Sequence, residues 1–507
     1  MQRRDFLKGM LAAGTVAITD PAAAQTKLLN LKDYIRFRFC PTSVRLRSDI
    51  YTLMNHDPNH PMIAAYRKGV AAMKALPDAN PTSWAYQANI HGTSLPFAQW
   101  PAGAPFATCE HGTDYFLSWH RIYLFFFEKI VRKHSGDSNF ALPYWNYSKS
   151  GQAALPLPFR NPAGAGNALF DGTRSNSVNN GNPLAAGTVS TTTALAQPNL
   201  LGGGQFQSSL EGTPHGSVHV AIGGNMGAFD TAGRDPIFWL HHCNIDRLWE
   251  KWLSLGNGHA NPIGDATWMG ETAEFVDENG NFITMVNSDI LDTAAQLKYQ
   301  YEDPRDCIPL LVANVHLSDL VRQISAQAKL KLVLRKEWKI DLAGKASRFD
   351  LSDSEQRGAV TALLRADKLR DTAKSNRIVL RFSGLRLRAP MNGYFEAYLT
   401  VGPKETFAAS KPVFIGNINT FGADAQSQTS MMQSPKMQQN KDHEMGVTTT
   451  IDVTDLLLKQ VRGKGETMLA VTLNPVSGTE GDDKAINREA EPVFGEVALD
   501  VLPAKAT

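Results

Sequence analysis

The chain has 507 residues, 43% of them hydrophobic, with 51 Lys+Arg against 49 Asp+Glu. That near-neutral balance excludes a partner held by charge alone, so no nucleic acid is expected. The length favours two domains over one, and four cysteines (Cys40, Cys109, Cys243, Cys307) do not make a disulfide scaffold.

Arg3-Arg4-Asp5-Phe6-Leu7-Lys8 is a twin-arginine pattern, followed by a mildly apolar run from Met10 to Ile18 and by Ala22-Ala23-Ala24. Residues 1–24 read as a signal peptide of the twin-arginine route, which implies a bacterial periplasmic or secreted protein. The run is too short to span a bilayer and no later stretch reaches that length, so no membrane partner is expected after signal removal.

From 27 to 311 the pattern is helical segments joined by long loops. Val44–Leu76 contains a helical stretch ending near Pro77. Pro81 to Ile90 predicts a short helix stopped by Gly92, with His91 at its C-terminal end. Asp114 is placed to cap a helix from Tyr115 to about His134, closed by Gly136, on which Phe116, His120, Leu124 and Phe127 share one face. Gly151 to Ser209, rich in Gly, Asn, Ser, Thr and Pro, predicts irregular structure on the domain surface.

Thr213 and Pro214 open another helix as N-cap and first turn, ended by Gly223-Gly224. Asp235 and Pro236 do the same for Ile237–Leu255. A linker is expected over 312–328. Beyond it, alternation predicts strands at Lys329–Asp341, Arg377–Arg388, Gly393–Gly402, Pro412–Gly416, Thr448–Val453, Met468–Leu473 and Pro492–Leu502, a β-sandwich spanning 329–507.

Six histidines fall into two sets, His91, His111 and His120, then His215, His219 and His242. Three neutral imidazoles can hold one ion and leave a face open for a small molecule. With no carboxylate ligand motif between the sets, two copper ions are favoured over iron or over the zinc pair of a hydrolase. His215 and His219 lie four apart on one helix face. His241 and His242 diverge by about 100° around their helix, so one ligates and the other stands beside the site. Asp246, one turn on, is placed to orient an imidazole or to pair with Arg247.

These segments resemble the type-3 copper proteins, namely tyrosinases, catechol oxidases (polyphenol oxidases) and, more distantly, hemocyanins. The resemblance runs through Trp84–Gly92, Cys109-Glu110-His111, Phe116–Arg121, Leu142–Asn146, Glu211–His219, Met226–Phe229 and Asp235–Trp249. It implies that His91, His111 and His120 bind copper A, that His215, His219 and His242 bind copper B, and that O2 is the co-substrate. The implied fold is a mainly α-helical catalytic domain, a four-helix bundle around the dicopper site, followed by a β-rich domain that covers it.

The implied reaction oxidises o-diphenols to o-quinones and hydroxylates monophenols such as tyrosine, so small phenols are the expected partners. A catechol oxidase without monophenol activity, or a hemocyanin-like O2 carrier, are the alternatives. An oligomer is compatible with the sequence.

The resemblance extends to single positions. Cys109 matches a cysteine that forms a thioether to the second copper A histidine, here His111. Glu211 matches a glutamate that holds a water near the site, and Phe229 a bulky gate residue. Val220 is expected to line the pocket. Many strong tyrosinases carry Asn directly after the first copper B histidine, where this chain has Gly216. One aromatic of Tyr394, Phe395 and Tyr398 is expected to plug the entrance. Met431, Met432, Met437, His443 and Met445 form a segment rich in soft ligands, Cys40 and Cys307 are candidates for a disulfide, and Cys243 reads as a buried thiol.

Overall fold

A computed structural model describes residues 44–57, 59–256, 258–303, 330–342, 346–350, 356–432, 446–461, 466–479 and 486–503, leaving aside the side chains of 430–432. The leader, Cys40, Cys307, the linker and the side chains of the Met431–Met445 segment lie outside them. Among the described residues no helix is long and apolar enough to cross a membrane.

Two helices, Ile50–His56 and Pro61–Lys74, follow the strand β1 (Arg45–Arg47). Asp49 caps the first by accepting from Tyr51 N–H, and Pro61 opens the second, where its missing N–H has no partner to lose. Ser83 accepts from Tyr86 N–H to start the helix Trp84–His91, which Gly92 ends.

The long helix Phe116–Ser135 closes on Gly136 at φ +73°, a left-handed conformation that glycine adopts without strain. Its N-cap is Tyr115, not Asp114. The Asp114 carboxylate instead accepts from Gly202 N–H at 2.9 Å, tying the long loop down, and so is spent outside its own helix. The second long helix, Ile237–Ser254, packs against the first, with Trp239 stacked face to face on Phe127 at 3.3 Å.

The hairpin of β2 (Thr272–Val276) and β3 (Phe282–Val286) leads to β4 (Tyr299–Tyr301), which runs parallel to β1. Residues 151–209 are largely irregular, broken by the short helices Asn176–Asn179, Thr192–Leu195 and Phe206–Leu210, and they are not merely superficial. Leu155, Phe159, Leu169, Val178 and Leu200 are buried in the helical core, because a long segment short of regular structure still needs an apolar anchorage.

Among the described residues the C-terminal region holds eight strands: β5 (Leu330–Lys339), β6 (Ser347–Asp350), β7 (Asn376–Leu385), β8 (Gly393–Pro403), β9 (Val413–Ile418), β10 (Val447–Asp452), β11 (Thr467–Ser477) and β12 (Val493–Pro503). They form two four-stranded antiparallel sheets, in the orders β10-β7-β12-β5 and β6-β11-β8-β9. Leu380, Phe382, Phe494 and Leu499 of the first sheet share one core with Phe395, Leu399, Val471 and Leu473 of the second. The four-residue β6 is too short for its alternation to be legible. The helices Arg357–Leu363, Ala366–Ala373, Ala425–Met432 and Thr454–Gln460 were also unmarked in the sequence, since each buries few apolar residues. Among the described residues past 330, Phe421 alone belongs to the helical core.

A buried ionic cluster locks the two long helices together from behind. Arg121 bonds Asp246 at 2.6 Å and Glu250 at 2.7 Å, while Arg47 bonds Glu128 at 2.8 Å and lies 3.5 Å from Asp246. Tyr299 and Tyr301 both donate to the second Asp246 oxygen at 2.5 Å. Burial alone would raise the Asp246 carboxyl, but Arg121 and Arg47 hold it below the ordinary aspartate value.

Asp246 therefore neither orients an imidazole nor pairs with Arg247, as its sequence position had suggested. Its side of the helix faces Arg121 and the β1–β4 pair, and Arg247 bonds Asn244 and Asn146 instead. Removing one member of such a cluster strands the others as uncompensated buried charge. Asp246→Ala is expected to destabilise the helical domain by about 3–5 kcal/mol, read as a lowered midpoint in urea unfolding followed by tryptophan fluorescence.

Candidate metal centre

The six histidines converge from five places in the chain. His91 comes from the end of its helix, His111 from the loop before Phe116, His120 from the first turns of the long helix, and His242 from the facing long helix. His215 and His219 follow from a break in the backbone. The wide turn Glu211–Gly216 contains Thr213 in an extended conformation, and the helix Ser217–Ile222 begins only after it. Thr213 thus stands extended at the kink between two helical stretches, where an N-cap stands, with Pro214 in the first turn after it as the sequence predicts. His215 and His219 remain one turn apart with ring centroids 4.7 Å from each other.

Hydrogen bonds set which nitrogen of each ring is available. His91 Nδ1 lies 3.1 Å from the Phe229 carbonyl, His120 Nδ1 2.7 Å from that of Phe116, His215 Nδ1 3.1 Å from that of Glu211, and His219 Nδ1 2.8 Å from that of Met226. A carbonyl oxygen can only accept, so Nδ1 carries the hydrogen in all four and Nε2 keeps its lone pair. His91 Nε2 and His215 Nε2 are buried with no protein partner, which costs free energy unless something accepts those lone pairs. His219 Nε2 and His242 Nε2 approach to 3.2 Å. The contact suits two nitrogens aimed at one point.

Burial is the largest influence on every ring, and it holds all of them below the ordinary histidine value. Neighbouring imidazoles add to it for His91, His111, His215, His241 and His242, while His120 and His219 fall to about 3. The rings are therefore neutral and ligand-ready at neutral pH.

The two sets also face one another. His120 stacks on His242 with centroids 4.2 Å apart, and His111 lies 5.5 Å from His215. Within each set, with Cys109 in the first and His241 in the second, one ligand atom per residue lies within 4.8 Å of all the others. Two such groups of soft and borderline donors with no carboxylate fit a pair of copper ions.

Other expected residues fall around this centre. Cys109 Sγ is 3.3 Å from Nδ1 and 3.9 Å from Nε2 of His111, beside the ring edge that Cε1 joins, and 3.3 Å from His120 Nε2. Glu211 Oε1 accepts from Gly112 N–H at 2.7 Å. Part of Glu211 reaches solvent, but its carboxyl lies deep enough that burial, aided by Glu110 and Asp114, pushes it up to about 8. Phe229 lies 4.9 Å from the His91 ring and 5.2 Å from that of His111. Val220 faces a cavity of about 280 Å³ between the helical domain and Pro390–Asn392 of the C-terminal region. His241 stacks on His215 at 5.4 Å with both nitrogens unpartnered, and Cys243 is buried.

None of the three aromatics expected as a plug reaches the centre. Tyr394 sets its hydroxyl against Gly187, Phe395 lies in the core between the sheets, and Tyr398 packs on Phe414. Alternation along β8 sends these rings into the domain's own core and onto its neighbours. The ring on the site is Phe421, stacked on His219 at 4.2 Å and 17°, and 5.8 Å from both His111 and His215. It sits between β9 and the helix Ala425–Met432, where no periodicity marks it.

Comparison with known proteins agrees with this geometry. The common central domain of tyrosinase matches residues 81–203 and 189–255. A tyrosinase of Hahella sp. (strain CCB-MM4) is 32% identical over 302 residues, 51% of this chain and 63% of that protein. A chloroplastic polyphenol oxidase of Vitis vinifera is 33% identical over 275 residues, 48% of this chain and 45% of that protein. The chain thus covers less than two thirds of either relative. The solved structure of latent apple tyrosinase shares the fold at TM-score 0.56 and 21% identity, covering 92% of this chain and 98% of that one.

Copper titration followed by metal analysis is expected to saturate at two ions per chain, one for each group. His219→Ala is expected to lower that to about one, since a site left with two imidazoles binds far more weakly. His241→Ala is expected to keep both.

Proposed function

Since the chain belongs to the type-3 copper family of tyrosinases and catechol oxidases, we propose that it oxidises small phenols with O2, catechols to o-quinones above all. The observation that carries this reading is the convergence of six neutral imidazoles, four with Nδ1 engaged by a carbonyl, on two adjoining points. His91, His111 and His120 would hold one copper, and His215, His219 and His242 the other. When bound, the pair supplies two one-electron couples side by side, enough to pass electrons between a phenol and O2. Each catechol gives up two electrons and two protons, so two catechols reduce one O2 to two waters.

The chain's own groups would do the rest. Phe229 offers a ring face beside His91 for a planar substrate. Burial raises the Glu211 carboxyl to about 8, so once ionised it is a stronger proton acceptor than an ordinary carboxylate, which suits a phenol whose pKa is about 10. Gly216 lacks the carboxamide that many strong tyrosinases carry there, which favours diphenol oxidation over hydroxylation of monophenols such as tyrosine.

Cys109 would be joined to Cε1 of His111, losing the thiol hydrogen and one ring hydrogen to O2 as two-electron oxidant. The sulfur's position at that ring edge supports this bond. We read the two sheets as the faces of a sandwich and the helices around the site as a bundle. On this reading Phe421 of the sheet domain covers the entrance, and the full chain is latent.

Oxygen uptake by the copper-loaded chain with catechol, DOPA and tyrosine tests the activity. Phe421→Ala is expected to raise catechol oxidation about tenfold or more. Adding Glu211→Gln to it is expected to cut tyrosine hydroxylation by about 10²–10⁴ while sparing most catechol oxidation. Reversible oxygenation with no uptake in the presence of catechol would identify a carrier instead. Intact-mass analysis of copper-loaded protein is expected to show a deficit of two hydrogens, absent in Cys109→Ala.

A further inference from the structure

We infer that Gly216 is the seat of a latch: its missing side chain lets the Asn419 carboxamide close onto the copper B turn and so holds Phe421 over the site. The inference rests on the reading of Phe421 as a cover. It assigns the closing to one glycine–asparagine pair.

The fit at this point leaves no room. A Cβ at 216 would stand 2.5 Å from both Cγ and Oδ1 of Asn419, and 3.0 Å from its Cβ. Cβ and Cγ are the root of that side chain, so a rotation of its tip does not relieve the overlap. Nor is the carboxamide free to turn. Its Oδ1 accepts the Phe421 N–H at 3.0 Å, so the oxygen that meets residue 216 also sets the backbone from which the covering ring projects. Asn419 is 7% exposed, and an ousted carboxamide would lose its burial together with its bond.

Beyond Asn419 the segment is fastened on the far side of the centre. Ser427 Oγ accepts the Phe229 N–H at 3.0 Å, and Gln426 donates to Asp230 at 2.9 Å. Asn419, Phe421 and Ser427 therefore bridge the site from the copper B turn, across His219, to Phe229 beside the His91 ring. Gly216 is the one of these holding points that exists only because a side chain is absent. Any residue with a Cβ there, the asparagine of many tyrosinases included, competes with Asn419 for the same space. At position 216 this chain holds a closed cover in place of a site-facing amide.

The test uses the full copper-loaded chain and a double-mutant cycle of Gly216→Ala and Asn419→Gly, with copper content checked for each variant. Two readouts are taken, hydrogen exchange of the Phe229 amide and the rate of catechol oxidation. Gly216→Ala is expected to speed both about tenfold or more, the scale on which one methyl overpacks a closed contact. Asn419→Gly is expected to speed Phe229 exchange as well. In the Asn419→Gly background the alanine meets no carboxamide, so its added effect is expected to fall below about twofold.

Unchanged Phe229 exchange in Gly216→Ala or Asn419→Gly, or an equal effect of the alanine in both backgrounds, overturns the latch. Phe421→Ala separates the two readings. Should it and all the other variants bind two coppers yet oxidise no catechol, the proposed activity fails, while the exchange cycle still decides the latch.

Discussion

The centre depends on carbonyl oxygens as much as on imidazoles. Four of the six rings hand Nδ1 to a backbone carbonyl, and those carbonyls come from three local structures: a turn of the long helix at Phe116, the broken turn at Glu211, and the segment carrying Met226 and Phe229. One bond thereby fixes a tautomer and aims a ring. Burial does the complementary part, since it keeps the rings uncharged and leaves the Nε2 lone pairs of His91 and His215 without a protein partner. A site so arranged is polarised towards a cation before any is bound.

That precision requires a rigid frame, and the frame is ionic as well as apolar. His120 and Arg121 are adjacent on one helix, as are His242 and, one turn on, Asp246 on the other. The imidazoles point forward while Arg121 and Asp246 bond each other at 2.6 Å behind them. The same pair of helices is thus clamped on one side by charge and stacked on the other by rings, with His120 and His242 4.2 Å apart. Buried ion pairs contribute little net stability, but they tolerate few alternative registers, which is what a metal centre needs.

The C-terminal sheets add a third layer of constraint. Their core is separate from the helical one, and among the described residues past 330 Phe421 alone is buried in the helical core. Contacts at the seam are close and specific: Gly478 lies against Ala221, where a Cβ would meet the Ala221 backbone at 2.5 Å, and its carbonyl accepts from Thr188. Small residues at this point of the seam let backbone approach backbone.

Much of the centre was legible in the sequence because its logic is local. The four-residue spacing of His215 and His219, the aromatic face around His120 and the paired His241-His242 place ligands on helix faces by period alone. The strand-rich C-terminal region was legible for the same reason, since alternation is a short-range property. What the sequence left open are matters of long-range contact. Asp246 looked like a partner for its neighbours Arg247 or His242, but it meets Arg121, 125 positions away. Asp114 looked like a cap and became a tether for Gly202. Tyr394, Phe395 and Tyr398 were conspicuous by composition, yet strand alternation turns them elsewhere, and an unmarked loop supplies Phe421. Spacing determines which face of an element a residue occupies. Only the packing of elements decides what that face meets, because the energy of that contact resides in a partner that the local chain does not contain.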